Sequence, residues 1–311
     1  MTGYEALRSK AAWFDVSSRG KIRAVGEDNA RLLHAMSTNN VKNLSDGAGL
    51  YAFFLNDKGR IIADSYIYRL GESFLLDTEP EAAGILREHL DRYIIADDVT
   101  LEDETGLLAA IALEGPTSFE TAAALGLPVP AAAFSTAHWQ KGFVARASVT
   151  GASGLRIFLP LSDMLSFTVR LQMANVPEAN SDEVRIVRLE HGTPRFGEDI
   201  TNRYLAQETQ IAHAIHANKG CYLGQEIVER VRAQGQVHRL LAPVRITASQ
   251  APAPGAKLLA AGNPVAEITS AAYSEALGEV VALAYVRREA LQTKPPLVVA
   301  GHSPEEPARI V

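Results

Sequence analysis

The sequence has 311 residues with 30 basic against 36 acidic side chains, a formal net charge of −6 and a single cysteine. Its length is that of about two domains, its 47% hydrophobic and 21% charged content excludes a disordered or fibrous chain, and its acidic balance argues against a direct nucleic-acid partner. One cysteine closes no internal disulfide and holds no four-thiolate zinc or iron–sulfur site within one chain, so a reducing, cytoplasmic compartment is the expectation.

In chain order, the opening MTGYEALRSKAAWF lacks the apolar core of a signal sequence, and no later stretch approaches the roughly 18 apolar residues of a membrane span. A soluble protein without a membrane partner is expected. Lys21 to Val25 reads as a short strand, and Gly26-Glu27-Asp28 supplies the turn before a helix over Ala30 to Met36. Beyond the polar Thr38-Asn39-Asn40, the strand-like runs Leu50 to Leu55 and Arg60 to Leu70 flank Asn56-Asp57-Lys58-Gly59, a hairpin signal with a four-residue loop. Phe74 to Leu76 predicts another strand. Pro80 then opens a helix in which Ile85, Leu86, His89, Leu90 and Tyr93 share a face.

Strand character returns at Val99 to Leu101 and Leu107 to Leu113, and Gly115-Pro116 starts a helix to about Ala124, which Pro128 and Pro130 end. Phe143 to Thr150 and Leu155 to Leu159 predict a second hairpin around Gly151-Ala152-Ser153-Gly154, with a helix from about Ser162 to Met173 after it. Val184 to Val187 reads as an apolar strand. Strands and helices thus alternate irregularly with hairpins throughout, which fits an α+β fold with antiparallel sheets better than a doubly wound parallel sheet. After Val237 the texture changes, because eight of the fifteen prolines fall there between short β-like runs. These runs, Leu240 to Ile246, Lys257 to Leu259, Val265 to Thr269, Gly278 to Val286 and Leu297 to Val299, predict a small antiparallel β-barrel. The boundary is therefore set between residues 1–236 and 237–311.

The sharpest local motif is Lys219-Gly220-Cys221-Tyr222-Leu223-Gly224-Gln225-Glu226. A thiol is useful to chemistry as the thiolate, which a neighbouring cation or a helix N-terminus favours. Lys219 and the helical stripe Ile227, Val228, Val231 supply both conditions, although a small buried hydrophobe in a tight turn is the commoner role of a lone cysteine. Glu226 and Arg230 have the favourable i,i+4 orientation. A second cluster is Arg188-Leu189-Glu190-His191-Gly192-Thr193-Pro194-Arg195-Phe196-Gly197-Glu198-Asp199. A carboxylate there can accept two parallel hydrogen bonds from an amidine-like ring edge, and an ion pair to Arg188 or Arg195 is the plainer alternative. His213 and His216, with Cys221, lack the further ligand of a catalytic zinc site, so no metal is expected. Gly47-Ala48-Gly49 precedes a strand rather than a helix, which removes a dinucleotide loop, and GxSxG, Walker A and HExxH motifs are absent.

Lys219 to Glu226 resembles the KGCYxGQE signature of the YgfZ-type folate-binding iron–sulfur cluster assembly proteins, relatives of the glycine-cleavage T-protein aminomethyltransferases. Phe14 to Arg23, Thr38-Asn39-Asn40-Val41, Arg188-Leu189-Glu190-His191-Gly192 and Gly262 to Ser270 resemble further shared segments, so the likeness spans nearly the whole chain. It implies a ring of two intertwined α+β domains and a barrel around a folate channel. It also implies that Glu190 holds the pterin edge, that Tyr51 and Asp64, which match the tyrosine and the second aspartate of the T-protein YxxxLNxxGGxxDD hairpin, face the reactive nitrogen, and that Arg188 and Gln225 belong to the folate-binding set. A carboxylate beside that nitrogen can orient or stabilise its cationic form.

The departures concern the T-protein pattern: its first aspartate is Ala63 here, Gly59-Arg60 replaces paired glycines, and Gln225 stands where it has an arginine. The resemblance therefore leads first to a tetrahydrofolate-binding protein that supports assembly or repair of iron–sulfur clusters in client enzymes. In that reading Cys221 is a transient thiol, Lys219 favours its thiolate and attracts the folate tail, and client or assembly proteins are transient partners. The alternatives are a folate-dependent one-carbon transferase, with tetrahydrofolate or a one-carbon derivative as its cofactor and Asp64 catalytic, and a folate-sensing scaffold without chemistry.

Overall fold

The computed structural model describes residues 1–235, 237–301 and 306–311. In chain order its elements begin with α1 (Gly3–Ser9), β1 (Ala12–Asp15), β2 (Gly20–Val25), α2 (Asn29–Met36), β3 (Gly49–Leu55), β4 (Ile61–Leu70), β5 (Ser73–Thr78) and α3 (Pro80–Asp91). They continue with β6 (Thr100–Asp103), β7 (Leu108–Glu114), α4 (Ser118–Ala124), β8 (Thr136–Trp139), β9 (Gly142–Ala145), β10 (Gly154–Pro160), α5 (Met164–Met173) and α6 (Ser181–Glu190). The last are α7 (Gln225–Gln234), β11 (Arg239–Ile246), β12 (Lys257–Ala260), β13 (Asn263–Ser274), β14 (Glu279–Arg287), α8 (Arg288–Thr293), β15 (Leu297–Val299) and β16 (Pro307–Ile310).

The strands form one five-stranded sheet in the order β1-β7-β10-β9-β8, a second in the order β3-β4-β5-β2-β6, and a closed barrel β11-β14-β13-β12-β15-β16. The chain enters the first sheet at β1, builds the whole second sheet, and returns at β7, so the two sheets are interleaved in sequence. All ladder pairings are antiparallel, as the α+β reading expects. The sheets pack face to face through Tyr68 and Leu75 of the second and Ala112, Phe143 and Phe158 of the first. Phe143 and Phe158 stack there at 4.5 Å. Helices α2 and α3 cover the outer face of the second sheet, and α4 and α5 that of the first.

The period-2 alternation of a strand decides what faces the interior of this sandwich. Along β4, Ile61, Ala63 and Ile67 join the core beneath α2 and α3, which turns Tyr66 and Tyr68 toward the first sheet. Asp64, in phase with those two tyrosines, takes the same face. On β3, Tyr51 lies opposite Tyr66 and Phe53 opposite Asp64 in the ladder.

Three expectations change. Val184 to Val187 belongs to α6, because Asn180 caps that helix and forms a capping box with Glu183. Val184 and Val187 are buried one helical turn apart, a spacing that a four-residue apolar run cannot distinguish from a strand. In α3 the buried face is Ala82, Leu86 and Leu90, while Ile85 is 52% and Tyr93 42% exposed, so that helix is rotated from the expected face. The strand expected from Phe143 to Thr150 ends at Ala145 and is β9, which pairs with the preceding β8 in a tight hairpin. No helix among the described residues is long and apolar enough to cross a membrane.

Candidate functional site

Between the two sheets and α6 lies a two-part chamber. An outer cavity of about 730 Å³ opens beside Phe14, Asn180, Asp182 and Arg185. An inner cavity of about 250 Å³ ends at Tyr51, Asp64, Tyr66 and His213. Arg19, Glu79, Val149, Arg188 and Arg195 line both, so the two cavities adjoin.

At the inner end the Tyr51 hydroxyl donates to Asp64 Oδ2 at 2.5 Å, and both side chains are buried. Burial pushes the Asp64 carboxyl above the usual carboxylate range, against the pull of the Tyr51 hydroxyl, Arg19 and Arg195. The same burial, with the Asp64 charge beside it, raises the Tyr51 phenol well above its ordinary value. Both groups therefore hold their protons more tightly than in water. Aromatic rings surround them: Tyr66 lies 5.1 Å from Tyr51, and His213 lies 5.7 Å from Tyr51 and 5.5 Å from Phe134.

Beneath this end, Asp77 is fully buried between Arg19, at 2.7 Å, and Arg156. Burial alone would raise the Asp77 carboxyl, but the two guanidinium charges overcome it and hold it below the ordinary range. Both guanidinium groups lie over the Tyr66 ring, Arg156 at 4.8 Å and Arg19 at 5.8 Å. Lys21 donates to the carbonyls of Ser17 and Arg19 at 2.8 Å, and its burial lowers the ammonium to about 8. Arg195 is paired with Glu79 at 2.9 Å and with Glu81 at 2.8 Å, so the chamber's arginines are largely balanced.

Of the residues that the sequence assigns to catalysis or folate binding, Tyr51, Asp64 and Arg188 line the chamber. The Arg188 guanidinium, however, is bound to Asp199 at 2.7 Å, to the Thr193 carbonyl at 2.6 Å and to Glu198. Its geometry is that of a brace. Glu190 is not among the lining residues. Its carboxylate accepts from Tyr4 at 2.5 Å, Ser274 at 2.6 Å and Arg8 at 2.8 Å, tying α1 to β13. The ion pair is thus with Arg8, neither Arg188 nor Arg195.

Cys221 is exposed and is not among the residues that line the chamber. Gly224 adopts a positive φ of 80°, and a Cβ there would come within 2.6 Å of the Asn56 carbonyl. A Cβ on Gly59 would lie 2.7 Å from Ile227. The cysteine loop and α7 therefore seat on the hairpin's tip. Lys219 turns inward, donating to the His34 carbonyl with its ammonium 4.6 Å from the Tyr222 ring, and burial lowers it to about 8. Gln225 accepts from the Tyr222 N–H at 3.3 Å, and the expected Glu226–Arg230 pair forms at 2.7 Å. Neither Lys219 nor Gln225 lines the chamber.

Sequence reasoning passed over Arg19, Tyr66, Asp77, Phe134 and Arg156. One signal was present: Arg156 is the only charge in the run Leu155 to Leu159. His213 was weighed only as a metal ligand. Among the described residues, no cluster of histidine, cysteine and carboxylate side chains could hold a metal ion.

The GCVT N-terminal domain family matches residues 2–219, and the glycine cleavage T-protein C-terminal barrel domain family matches residues 239–311. An aminomethyltransferase of Rubrobacter xylanophilus is 30% identical across 99% of this chain and 84% of its own length. An aminomethyltransferase of Thermus thermophilus is likewise 30% identical, across 92% of this chain and 82% of its own. The crystal structure of glycine cleavage system aminomethyltransferase T from Bartonella henselae superposes with a TM-score of 0.89 at 22% identity, covering 99% of this chain and 86% of that one, and so shares the fold. With both parts of its length matched, the chain belongs to the glycine-cleavage T-protein family.

Proposed function

We propose that the protein binds tetrahydrofolate in the two-part chamber and carries out a one-carbon transfer with a small amine there. The observation that carries this reading is the buried Tyr51–Asp64 pair at the end of an aromatic-walled cavity, in a chain whose relatives are named aminomethyltransferase. A flat, polar heterocycle fits such walls. Tetrahydrofolate supplies, when bound, a nitrogen able to carry the one-carbon unit. Tyr51 fixes the Asp64 carboxyl, and Asp64 holds or releases a proton at the reacting edge. The rings of Tyr66 and Phe196, which line the inner cavity, exclude water. The outer cavity has room for the remainder of the ligand. An anchoring role for Glu190 would require it to leave Tyr4, Arg8 and Ser274, so pterin anchoring passes to the inner-chamber side chains in this proposal.

Calorimetry with tetrahydrofolate tests the site. Wild type should bind, and Val149→Trp, which fills the junction of the two cavities, should not. Absence of heat with wild type, or unchanged binding by Val149→Trp, contradicts the proposal.

A second reading, thiol-dependent support of iron–sulfur enzymes as in the YgfZ-type proteins, is favoured by one observation: Cys221 is exposed, where a partner protein can reach it. In cells that depend on this protein, Cys221→Ser should then lower the activity of iron–sulfur client enzymes. Full activity with Cys221→Ser removes this reading and leaves the first intact.

A further inference from the structure

Thr38 and Asn39, polar and buried, clamp one loop onto the chamber. The Thr38 hydroxyl donates to the Ala214 carbonyl at 2.6 Å and accepts from the Phe53 N–H at 2.9 Å. The Asn39 amide donates both to the Tyr51 carbonyl, at 2.9 Å, and to the His213 carbonyl, at 2.8 Å. One side chain thus fixes the backbone of Tyr51 against that of His213. Such a clamp positions the histidine more firmly than a surface loop would.

The His213 imidazole lines the inner cavity and is held between two rings, those of Phe134 and Tyr51. Its nitrogens enter no hydrogen bond among the described residues, whereas ring nitrogens of His34, His191 and His216 are all engaged by backbone groups. An imidazole with its plane fixed and its nitrogens unused, aimed into a cavity, is available to a ligand.

We propose that His213 is a proton acceptor in the inner chamber and takes a proton from a nitrogen of the bound ligand, beside the Tyr51–Asp64 pair. This rests on the tetrahydrofolate reading and adds to it a catalytic group. In the step an N–H bond of the ligand breaks, its electron pair stays on that nitrogen, and a new N–H bond forms on the imidazole. No oxidation or reduction is involved. The imidazolium then releases the proton to bulk water through the chamber mouth. Burial lowers the His213 imidazole below its ordinary value, which keeps it neutral and able to accept near neutral pH. Among the groups facing it, the Tyr51 and Tyr66 phenols are raised by burial and stay neutral, and burial raises the Asp64 carboxyl. The remaining charges are paired: Arg19 and Arg156 with Asp77, Arg188 with Asp199, and Glu79 with Arg19 and Arg195.

The test is calorimetry of tetrahydrofolate binding between about pH 5.5 and 8 in buffers of different ionisation enthalpy, which counts protons exchanged. Wild-type affinity should fall about tenfold per pH unit on the acid side of the imidazole's titration, the slope of one proton. His213→Gln, which keeps an acceptor but cannot be protonated, should flatten that slope. The difference should persist in the Asp64→Asn background, where the other acid-side group is gone. Imidazole resonances of the wild type give an independent reading. The His213 midpoint should move on addition of tetrahydrofolate, while that of His34, outside the chamber's lining, stays. Equal proton counts and slopes in wild type and His213→Gln, or an unmoved His213 midpoint despite binding, overturn the His213 assignment alone. No heat with wild type at any pH overturns the tetrahydrofolate reading, and this assignment falls with it.

Discussion

At Asp64 stability and chemistry pull in opposite directions. Burial raises the folded-state pKa of this carboxyl above its unfolded value, so the folded protein holds the proton more tightly. Stability from that proton is fully present below the usual carboxylate pKa of about 4 and is lost as pH rises through the raised value. Asp64→Asn keeps an acceptor for the Tyr51 hydroxyl and removes the buried charge. We expect its melting temperature to exceed that of wild type by about 2 °C at neutral pH, with the gap closing near pH 4, while one-carbon transfer falls about a hundredfold or more. Melting curves across that pH range check the first expectation; a lower melting temperature at neutral pH opposes it. Glu190 should behave in reverse. Glu190→Ala strips one acceptor from Tyr4, Arg8 and Ser274 and should cost about 2 kcal/mol in denaturant unfolding, with tetrahydrofolate affinity nearly unchanged; weakened binding at unchanged stability would return the pterin to Glu190. Tyr51 and Asp64 were legible in sequence from the hairpin resemblance. Asp77 and Arg156 were not, because sheet-on-sheet packing, rather than local spacing, brings β5 to β10.

Elements with strong local punctuation were the legible ones. The β3–β4 hairpin announces itself through Asn56-Asp57-Lys58-Gly59, and the Asn56 side chain accepts from the N–H groups of Lys58 and Arg60, both at 3.0 Å. α6 did not announce itself, since its apolar run is short and its N-cap lies four residues before Val184. The seat of α7 on the hairpin tip is likewise a tertiary fact, carried by two glycines. Gly224→Ala faces both a positive φ and the Asn56 carbonyl, and should cost about 2 kcal/mol or more. Because Cys221 lies in the loop leading to Gly224, its rate of alkylation by a thiol reagent should change in the same variant. Wild-type stability together with an unchanged alkylation rate would mean that the loop is not held by this contact.

Across the whole molecule, Asp199 joins the barrel to the interleaved sheets. This fully buried carboxylate accepts from the Thr269 and Ser270 hydroxyls of β13 at 2.5 Å, from the Arg195 N–H at 3.0 Å and from Arg188 at 2.7 Å. Removing it leaves the Arg188 guanidinium buried and less well paired, so Asp199→Ala should cost about 3–5 kcal/mol and separate barrel unfolding from that of the sheets in denaturant. A single transition at the wild-type midpoint contradicts that role. The barrel was readable from its prolines and short strands, except for its closure, since β16 spans only four residues and pairs with both β11 and β15. Interleaving of the two sheets followed from the family resemblance and has no signature in local periodicity. The most direct measurement of the central claim compares tetrahydrofolate-dependent one-carbon transfer from a small amine by wild type, Asp64→Asn and Cys221→Ser. The chamber account expects transfer by wild type and Cys221→Ser and its loss in Asp64→Asn; transfer that survives Asp64→Asn and disappears with Cys221→Ser would contradict it.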